Sequence, residues 1–229
     1  MLVKDWMSRN VITIDINDNM QEATKRMKQH DIGMLPVMKR GKIVGIVTDR
    51  DLKRASASDA TTLEVHELLY LISRIKLADI MTKDPILVPF NHTVEETAEV
   101  LLKHRISGAP VVDYDGNLVG AITKGDIFRC LISLTGVGHR GIQFGFQVED
   151  TPGSIKTVAD IIRKYGGRMV SILTSYERAP KGYRQVFIRM YGVDRSRLAE
   201  LKDELRQKAT LLYMVDHREN IREIYGESA

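Results

Sequence analysis

The sequence predicts a mixed α/β (α+β) protein: a β-α-β-β-α unit present in two copies, followed by a smaller β-α-β-β-α-β unit. Two observations predict the first part. Residues 3–55 align with residues 77–130, and the apolar spacing alternates between strand-like and helix-like in the same order in both copies. A third predicts the rest: beyond the glycine-rich stretch Gly136-Val-Gly-His-Arg-Gly141 a new, unrepeated pattern begins.

The copies match at an offset of 74, which becomes 75 after one inserted residue. Asp5 and Met7 match Asp79 and Met81, and Asn17, Glu22, His30 and Ile32 match Asn91, Glu96, His104 and Ile106. Pro36-Val37 matches Pro110-Val111, Gly41 matches Gly116, Val44-Gly45 matches Val119-Gly120, and Thr48 with Asp51 matches Thr123 with Asp126. Each copy opens with a short strand, 11–14 or 86–88, and then a helix start. Asn19-Met-Gln-Glu22 and Thr93-Val-Glu-Glu96 are both capping-box patterns. Met20, Ala23, Thr24 and Met27 in one helix, and Val94, Thr97, Ala98 and Leu101 in the other, recur at the spacing of one buried face.

Strands at 35–38 and 109–112 follow, then a turn, clearest as Asp113-Tyr-Asp-Gly116, where glycine supplies the positive φ. Strands at 43–47 and 118–122 lead into Thr-x-x-Asp and a second helix. The expectation is two small sheets, each backed by helices, packed face to face about a pseudo-two-fold axis. The copies are assigned to 1–55 and 77–135, with 56–76 read as a linker helix that has some packing role.

In the last part, a strand over 142–148 alternates Ile142, Phe144, Phe146 and Val148. Glu149-Asp-Thr-Pro-Gly-Ser154 turns into a helix with Ile155, Val158, Ala159 and Ile162 on one face, ended by Gly166-Gly167. Strands over 169–176 and 184–191, a helix over 196–208 and a strand over 211–215 complete a ferredoxin-like domain at 141–218, leaving 219–229 as a tail.

Composition narrows the function. With 43% hydrophobic and 28% charged residues, the balance is that of an ordinary globular chain. No apolar run reaches membrane-span length and the start has no apolar signal core, so the expected location is the cytoplasm. Cys130 is the single cysteine, read as a small core residue. The net charge is +4, but basic residues are interspersed with acids, which argues against a nucleic-acid face. No nucleophile elbow, metal-ligand pair, P-loop or dinucleotide fingerprint is present, so no catalytic residue, metal or catalytic cofactor is assigned.

The strongest chemical signal is Gly-x-x-Thr-x-x-Asp, present as Gly45 to Asp51 and Gly120 to Asp126. Each falls where a strand ends and a helix begins, a position whose free N–H groups favour a phosphate. A threonine hydroxyl can donate to phosphate, an aspartate can accept from two ribose hydroxyls, and Arg50 and Lys124 lie between them. Thr-x-x-Asp is equally a cap, with Thr at N-cap and the acid at N3.

The run from Met81 to Asp126, Met-Thr-x-x-Pro…Pro-Val-Val-Asp-x-x-Gly-x-Leu-x-Gly-x-Ile-Thr-x-x-Asp, resembles a CBS motif, and Met7 to Asp51 is a second one. Together they resemble a CBS pair (Bateman module) over residues 1 to about 135. The resemblance implies two clefts between the copies that take AMP, ADP, ATP, S-adenosylmethionine or related adenosyl compounds. One would use Thr123 and Asp126 with Ser8, Thr13, Ile32, Gly33 and Met34, and with Ser107 and Gly108 close by. The other would use Thr48 and Asp51 with Thr82, Leu87, Ile106, Ser107 and Gly108. Met34 stands where the second copy has Gly108, which implies one partly filled pocket.

Val148-Glu-Asp-Thr-Pro-Gly-Ser-Ile, continuing to Gly166, is similar to the start of an ACT domain, whose Asp-x-Pro-Gly turn lies near an amino-acid effector. Asp150 and Gly153 match that turn, whereas Arg168-Met169-Val170 replaces the family's Asn-Ile pair. A dimerising domain without a ligand is an equal reading. The whole order resembles the acetoin-utilisation accessory protein family. These resemblances imply a non-enzymatic, homodimeric regulator that senses an adenosyl compound and relays it through the ACT-like domain. The alternative is an interaction or assembly protein with vestigial clefts.

Overall fold

The computed structural model describes residues 1–58 and 74–225. The chain divides into two compact units, Met1–Phe128 and Arg129–Ala229. The division falls inside a helix, upstream of the glycine-rich stretch. Most of the expected linker helix lies outside the described residues.

In the first unit, the first copy contributes β1 (Ile14–Asp15), α1 (Met20–His30), β2 (Met34–Lys39), β3 (Lys42–Thr48) and α2 (Asp49–Ser58). The second contributes α3 (Leu77–Ile80), β4 (Thr82–Lys83), β5 (Val88–Pro89), α4 (Val94–Lys103), β6 (Gly108–Val112), β7 (Leu118–Thr123) and α5 (Lys124–Thr135). The opening strands are therefore shorter than expected and begin later: Ile12, ahead of β1, packs against the core without joining a ladder, and Leu87, ahead of β5, is exposed.

What the repeat pattern did not disclose is an exchange between the copies. β4, from the second copy, pairs antiparallel with β3 through Gly45↔Lys83 and Ile46↔Thr82. Ser8, the counterpart of Thr82, bridges Ala121 on β7, with both N–H···O bonds at 2.9 Å. Leu77 from the start of the second copy is buried in the core of Met20, Ala23, Met27, Leu35, Val37 and Val47. Its counterpart Val3 is buried in the other core with Val88, Leu101, Ala109, Val111 and Ile122. Each core is closed by the opening segment of the other copy, which ties the two together through apolar burial of about 1.5–3 kcal/mol for each such side chain.

The caps differ between copies. Thr93 and Glu96 form a complete capping box: Glu96 N–H donates to Thr93 Oγ1 at 3.1 Å and Thr93 N–H to Glu96 Oε2 at 2.7 Å. In the first copy Asn19 Oδ1 accepts from Glu22 N–H at 2.9 Å, but Arg26 Nε takes the Glu22 carboxylate at 2.8 Å, so the expected box is only half formed. The hairpins also differ. Arg40 and Gly41 both have positive φ, +49° and +78°, as a two-residue primed turn requires. The longer loop after β6 instead folds around Asp113, whose Oδ1 accepts from the N–H groups of Asp115 and Asn117. The inserted residue that shifts the repeat offset belongs to this loop.

The second unit contains β8 (Ile142–Glu149), α6 (Ser154–Lys164), β9 (Arg168–Ser175), β10 (Tyr183–Tyr191), α7 (Leu198–Arg206), β11 (Thr210–Asp216) and β12 (Ile221–Ile224). The strand order is β12-β11-β8-β10-β9. Without β12 this is the split βαββαβ order. Phe144 and Phe146 alternate inward along β8, opposite Ile188 and Val186 of β10, and all four are fully buried. With Ile162, Leu201 and Leu205 they form one core.

Two expectations change here. Residues 221–224 are a fifth strand rather than part of a tail, turned back by Asn220 at φ +55° and by Asp216 Oδ1, which accepts from the N–H groups of Arg218 and Glu219. The helix expected from Ser196 begins at Leu198, because Asp194 caps a separate 3-10 turn over Arg195–Arg197. Cys130 is buried, as expected.

Candidate functional site

The two Thr-x-x-Asp motifs stand at matching junctions, β3 into α2 and β7 into α5. In the first, Asp51 Oδ2 accepts from Thr48 N–H at 3.0 Å and from Thr48 Oγ1 at 2.6 Å. In the second, Asp126 Oδ2 accepts from Thr123 N–H at 2.7 Å and from Thr123 Oγ1 at 2.6 Å. Asp51 is 9% exposed and Asp126 is 3% exposed. The capping role is therefore realised in both copies. A buried carboxylate held by an N–H and a hydroxyl is also a preorganised acceptor. Sequence reasoning missed Arg54, whose Nη2 lies 3.2 Å from Asp51 Oδ1.

Around the Thr48 junction, Met34 sits opposite Thr48 in the β2–β3 ladder, Gly33 C=O accepts from Asp49 N–H at 3.1 Å, and Thr82 pairs with Ile46. Around the Thr123 junction, Gly108 sits opposite Thr123, Ser107 C=O accepts from Lys124 N–H at 2.9 Å, and Ser8 pairs with Ala121. Each junction thus gathers its own copy's Gly33-Met34 or Ser107-Gly108 pair and one residue from the opposite copy's opening segment.

The remaining expected residues lie further from the junctions in this bonding pattern. Ile32 and Ile106 pack against the cores of their own copies. The Thr13 carbonyl accepts from Arg26 Nη1 at 2.7 Å, and Leu87 is 38% exposed just ahead of β5. Arg50 and Lys124 occupy the first turns of α2 and α5.

Two glycines make room for the exchange. A Cβ at Gly45 would lie 2.6 Å from Met81 Sδ and 3.0 Å from the Thr82 carbonyl; at Gly120 it would lie 2.4 Å from Met7 Sδ and 3.1 Å from the Ser8 carbonyl. The repeat alignment already paired Met7 with Met81 and Gly45 with Gly120, which is the signal that marks this contact.

In the second unit, Asp150 lies 3.5 Å from Arg184 Nε and accepts from Tyr176 Oη at 3.3 Å. Gly153, at φ +91°, is the N-cap of α6. Among the described residues no His, Cys, Asp and Glu side chains cluster in a metal-holding group, and no helix is long and apolar enough to cross a membrane.

The CBS domain family model matches residues 3–58 and 77–133, the two copies. The CBS domain-containing protein YhcV of Bacillus subtilis is 31% identical over 147 residues, covering 61% of this chain and 97% of YhcV. The inosine-5'-monophosphate dehydrogenase of Korarchaeum cryptofilum is 34% identical over 125 residues, which are 55% of this chain but only 23% of that enzyme. Among solved structures, the CBS domain pair of protein MJ0100 in complex with 5-methylthioadenosine and S-adenosyl-L-methionine is similar, with 33% identity and a TM-score of 0.50. That match covers 57% of this chain and 99% of the other. The duplicated junctions, the match of the family to both copies and the nearly full-length relative place the chain in the CBS-domain family, as a tandem CBS pair followed by a second unit.

Proposed function

We propose that the CBS pair is a regulatory sensor, not an enzyme, that binds an adenosyl compound (AMP, ADP, ATP or S-adenosylmethionine) in a cleft between its copies. The observation that carries this reading is the doubled junction: a buried aspartate beside a helix start, with the opposite copy's segment laid alongside. The ribose hydroxyls would donate to Asp126 or Asp51. A phosphate would meet Thr123 or Thr48, the second N–H group of α5 or α2 (Gly125 or Arg50), and the Lys124 or Arg50 side chain. Ser8, Thr13, Ile32, Gly33 and Met34 would surround the base in one cleft, and Thr82, Leu87, Ile106, Ser107 and Gly108 in the other. The MJ0100 CBS pair, solved with two adenosyl compounds, supports the ligand class.

The second unit reads as an ACT-like relay, supported by its strand order and the Asp150-Thr-Pro-Gly153 turn. An amino-acid effector there would compete for Asp150 with Arg184. The protein acts as a cytoplasmic homodimer in this reading. Binding changes the output only if ligand affinity differs between two arrangements of the chain.

One observation favours a second reading. Thr48 and Thr123 already donate their hydroxyls to aspartate, so vestigial clefts in an assembly protein would keep the same bonds as caps. A thermal-shift screen with AMP, ADP, ATP and S-adenosylmethionine separates the two. Ligand at a hundredfold over its dissociation constant stabilises by about 2.7 kcal/mol. Absence of a shift with every adenosyl compound would select the assembly reading.

A further inference from the structure

The glycine-rich stretch 136–141, read from sequence as a junction, also walls a cavity of about 150 Å³ in the second unit. The opposite wall is the end of β10, Met190 and Tyr191, with Gly192 and Val193 after it, and the charged part comes from Arg140, Arg195 and Arg218. No carboxylate lines it. Its volume is roughly five waters at about 30 Å³ each, enough for a tetrahedral or planar oxyanion but not for a nucleoside.

The three arginines are presented differently. Arg195 is locked from behind by Asp216, with Nε 3.1 Å from Oδ2 and Nη2 3.0 Å from Oδ1, so its remaining amine is not engaged by that carboxylate. Arg218 forms an ion pair with Glu219, Nε to Oε1 3.6 Å, and its terminal amines make no hydrogen bond among the described residues. Arg140 stands at φ +42°, and its guanidinium makes no hydrogen bond or ion pair among the described residues.

Two backbone stretches approach closely where they wall the cavity. A Cβ at Gly141 would lie 1.9 Å from the Met190 carbonyl, and Gly192 sits at φ +76°, so neither position accepts a side chain without strain. His139 stacks on Tyr191 at 5.9 Å and makes a flat wall. Asp216 is placed against Arg195, and Glu219 lies 3.9 Å from Arg195 and 3.6 Å from Arg218, so the three guanidiniums meet two carboxylates and one positive charge is uncompensated.

We infer that this cavity is a binding site for a small oxyanion, a phosphate or a carboxylate group, held by Arg140, Arg195 and Arg218. Guanidinium forks match both groups and hold them through charge-assisted pairs. The site is separate from the Thr-x-x-Asp junctions and does not depend on nucleotide binding there.

The test is calorimetric titration of the full chain with inorganic phosphate, with glycerol phosphate and with acetate, each against sodium chloride at matched ionic strength. Arg140→Gln and Arg218→Gln alter exposed side chains, and each should weaken binding by about tenfold, the value of one charge-assisted hydrogen bond. Arg178→Gln, in the exposed β9–β10 loop, should leave it unchanged. A response to phosphate or glycerol phosphate that the double variant loses assigns a phosphate site; the same loss confined to acetate assigns a carboxylate site. Binding no tighter than chloride, or equal binding by wild type and double variant, would overturn the inference. A preserved phosphate response in Asp126→Ala would keep this site distinct from the CBS clefts even if AMP binds neither.

Discussion

The two CBS copies share a backbone scheme and differ in charge at the point where a ligand would meet it. The Thr–Asp bond is 2.6 Å in both, and the residue after each threonine donates to the carbonyl of Gly33 or Ser107. Between threonine and aspartate, however, stand Asp49-Arg50 in one copy and Lys124-Gly125 in the other. Asp49 puts a carboxylate on the first position of α2, held by Lys53 at 2.6 Å, whereas Lys124 puts an ammonium on the first position of α5. A Cβ at Gly125 would meet nothing closer than Thr123 Oγ1 at 3.5 Å, so packing does not demand that glycine. The scaffold has been kept while the electrostatics diverged. A helix start favours an anion, an acid at its first position opposes one, and a base reinforces it. In the proposed reading the Thr123 junction is the better of the two for a phosphate-bearing adenosyl compound, because Asp49 offsets Arg50 at the Thr48 junction.

The largest effect expected from this difference is in AMP binding. Asp126→Ala should remove most of the roughly 2.7 kcal/mol of stabilisation that AMP gives at a hundredfold over its dissociation constant. Asp51→Ala should leave that response nearly intact while lowering the response to S-adenosylmethionine. Parallel thermal shifts of the two variants measure it, and equal losses would break the comparison. A smaller effect comes from exchanging the charges. Lys124→Asp should weaken AMP by about tenfold, or about 1.4 kcal/mol, and Asp49→Lys should bring AMP to the first cleft as a second calorimetric event.

Where the copies are alike, the prediction is equality. Thr48→Val and Thr123→Val each remove a helix cap and should cost about 1 kcal/mol in urea unfolding without ligand. A cost in only one copy would show that the two Thr–Asp bonds are not equivalent supports.

The repeat itself was legible because it repeats chemistry as well as pattern: paired glycines, paired methionines and paired Thr-x-x-Asp runs. The exchange was not, because β4 is Thr82–Lys83 and its counterpart is the single bridging residue Ser8, too short for any periodicity to register. Its trace lay in the side chains, since Val3 and Leu77 belong to cores that local sequence does not contain. In the second unit the alternation of Phe144 and Phe146 announced β8 plainly. The strand Ile221–Ile224 escaped because two charges lie between its isoleucines and no glycine marks the turn, which Asn220 makes at φ +55°. The candidate site was legible as motif and partner type. The engagement of Asp51 by Arg54 and the charge reversal between Asp49 and Lys124 became informative only once both junctions were in place.

The smallest expected difference concerns the caps of α1 and α4. Glu22 and Glu96 match in the repeat, and both carboxyls are held below the usual carboxylate range. The causes differ: Glu22 is lowered chiefly by its hydrogen bond from Arg26, Glu96 by the Thr93 backbone N–H and then by the Thr93 side chain. A carboxyl whose folded value is depressed adds stability above its unfolded value near 4.3, and that contribution disappears as pH falls through the folded value. Both residues should therefore favour folding at neutral pH and lose that role in acid. Salt separates them, since the screening length falls to about 3 Å at 1 M. An NMR titration of the two side chains at low and high salt should show Glu22 rising toward its ordinary value while Glu96 stays depressed. Equal movement of both would mean that the Thr93–Glu96 box is as dependent on neighbouring charge as the Glu22–Arg26 pair, and that the half-formed cap of the first copy is not a substitution of one kind of hold for another.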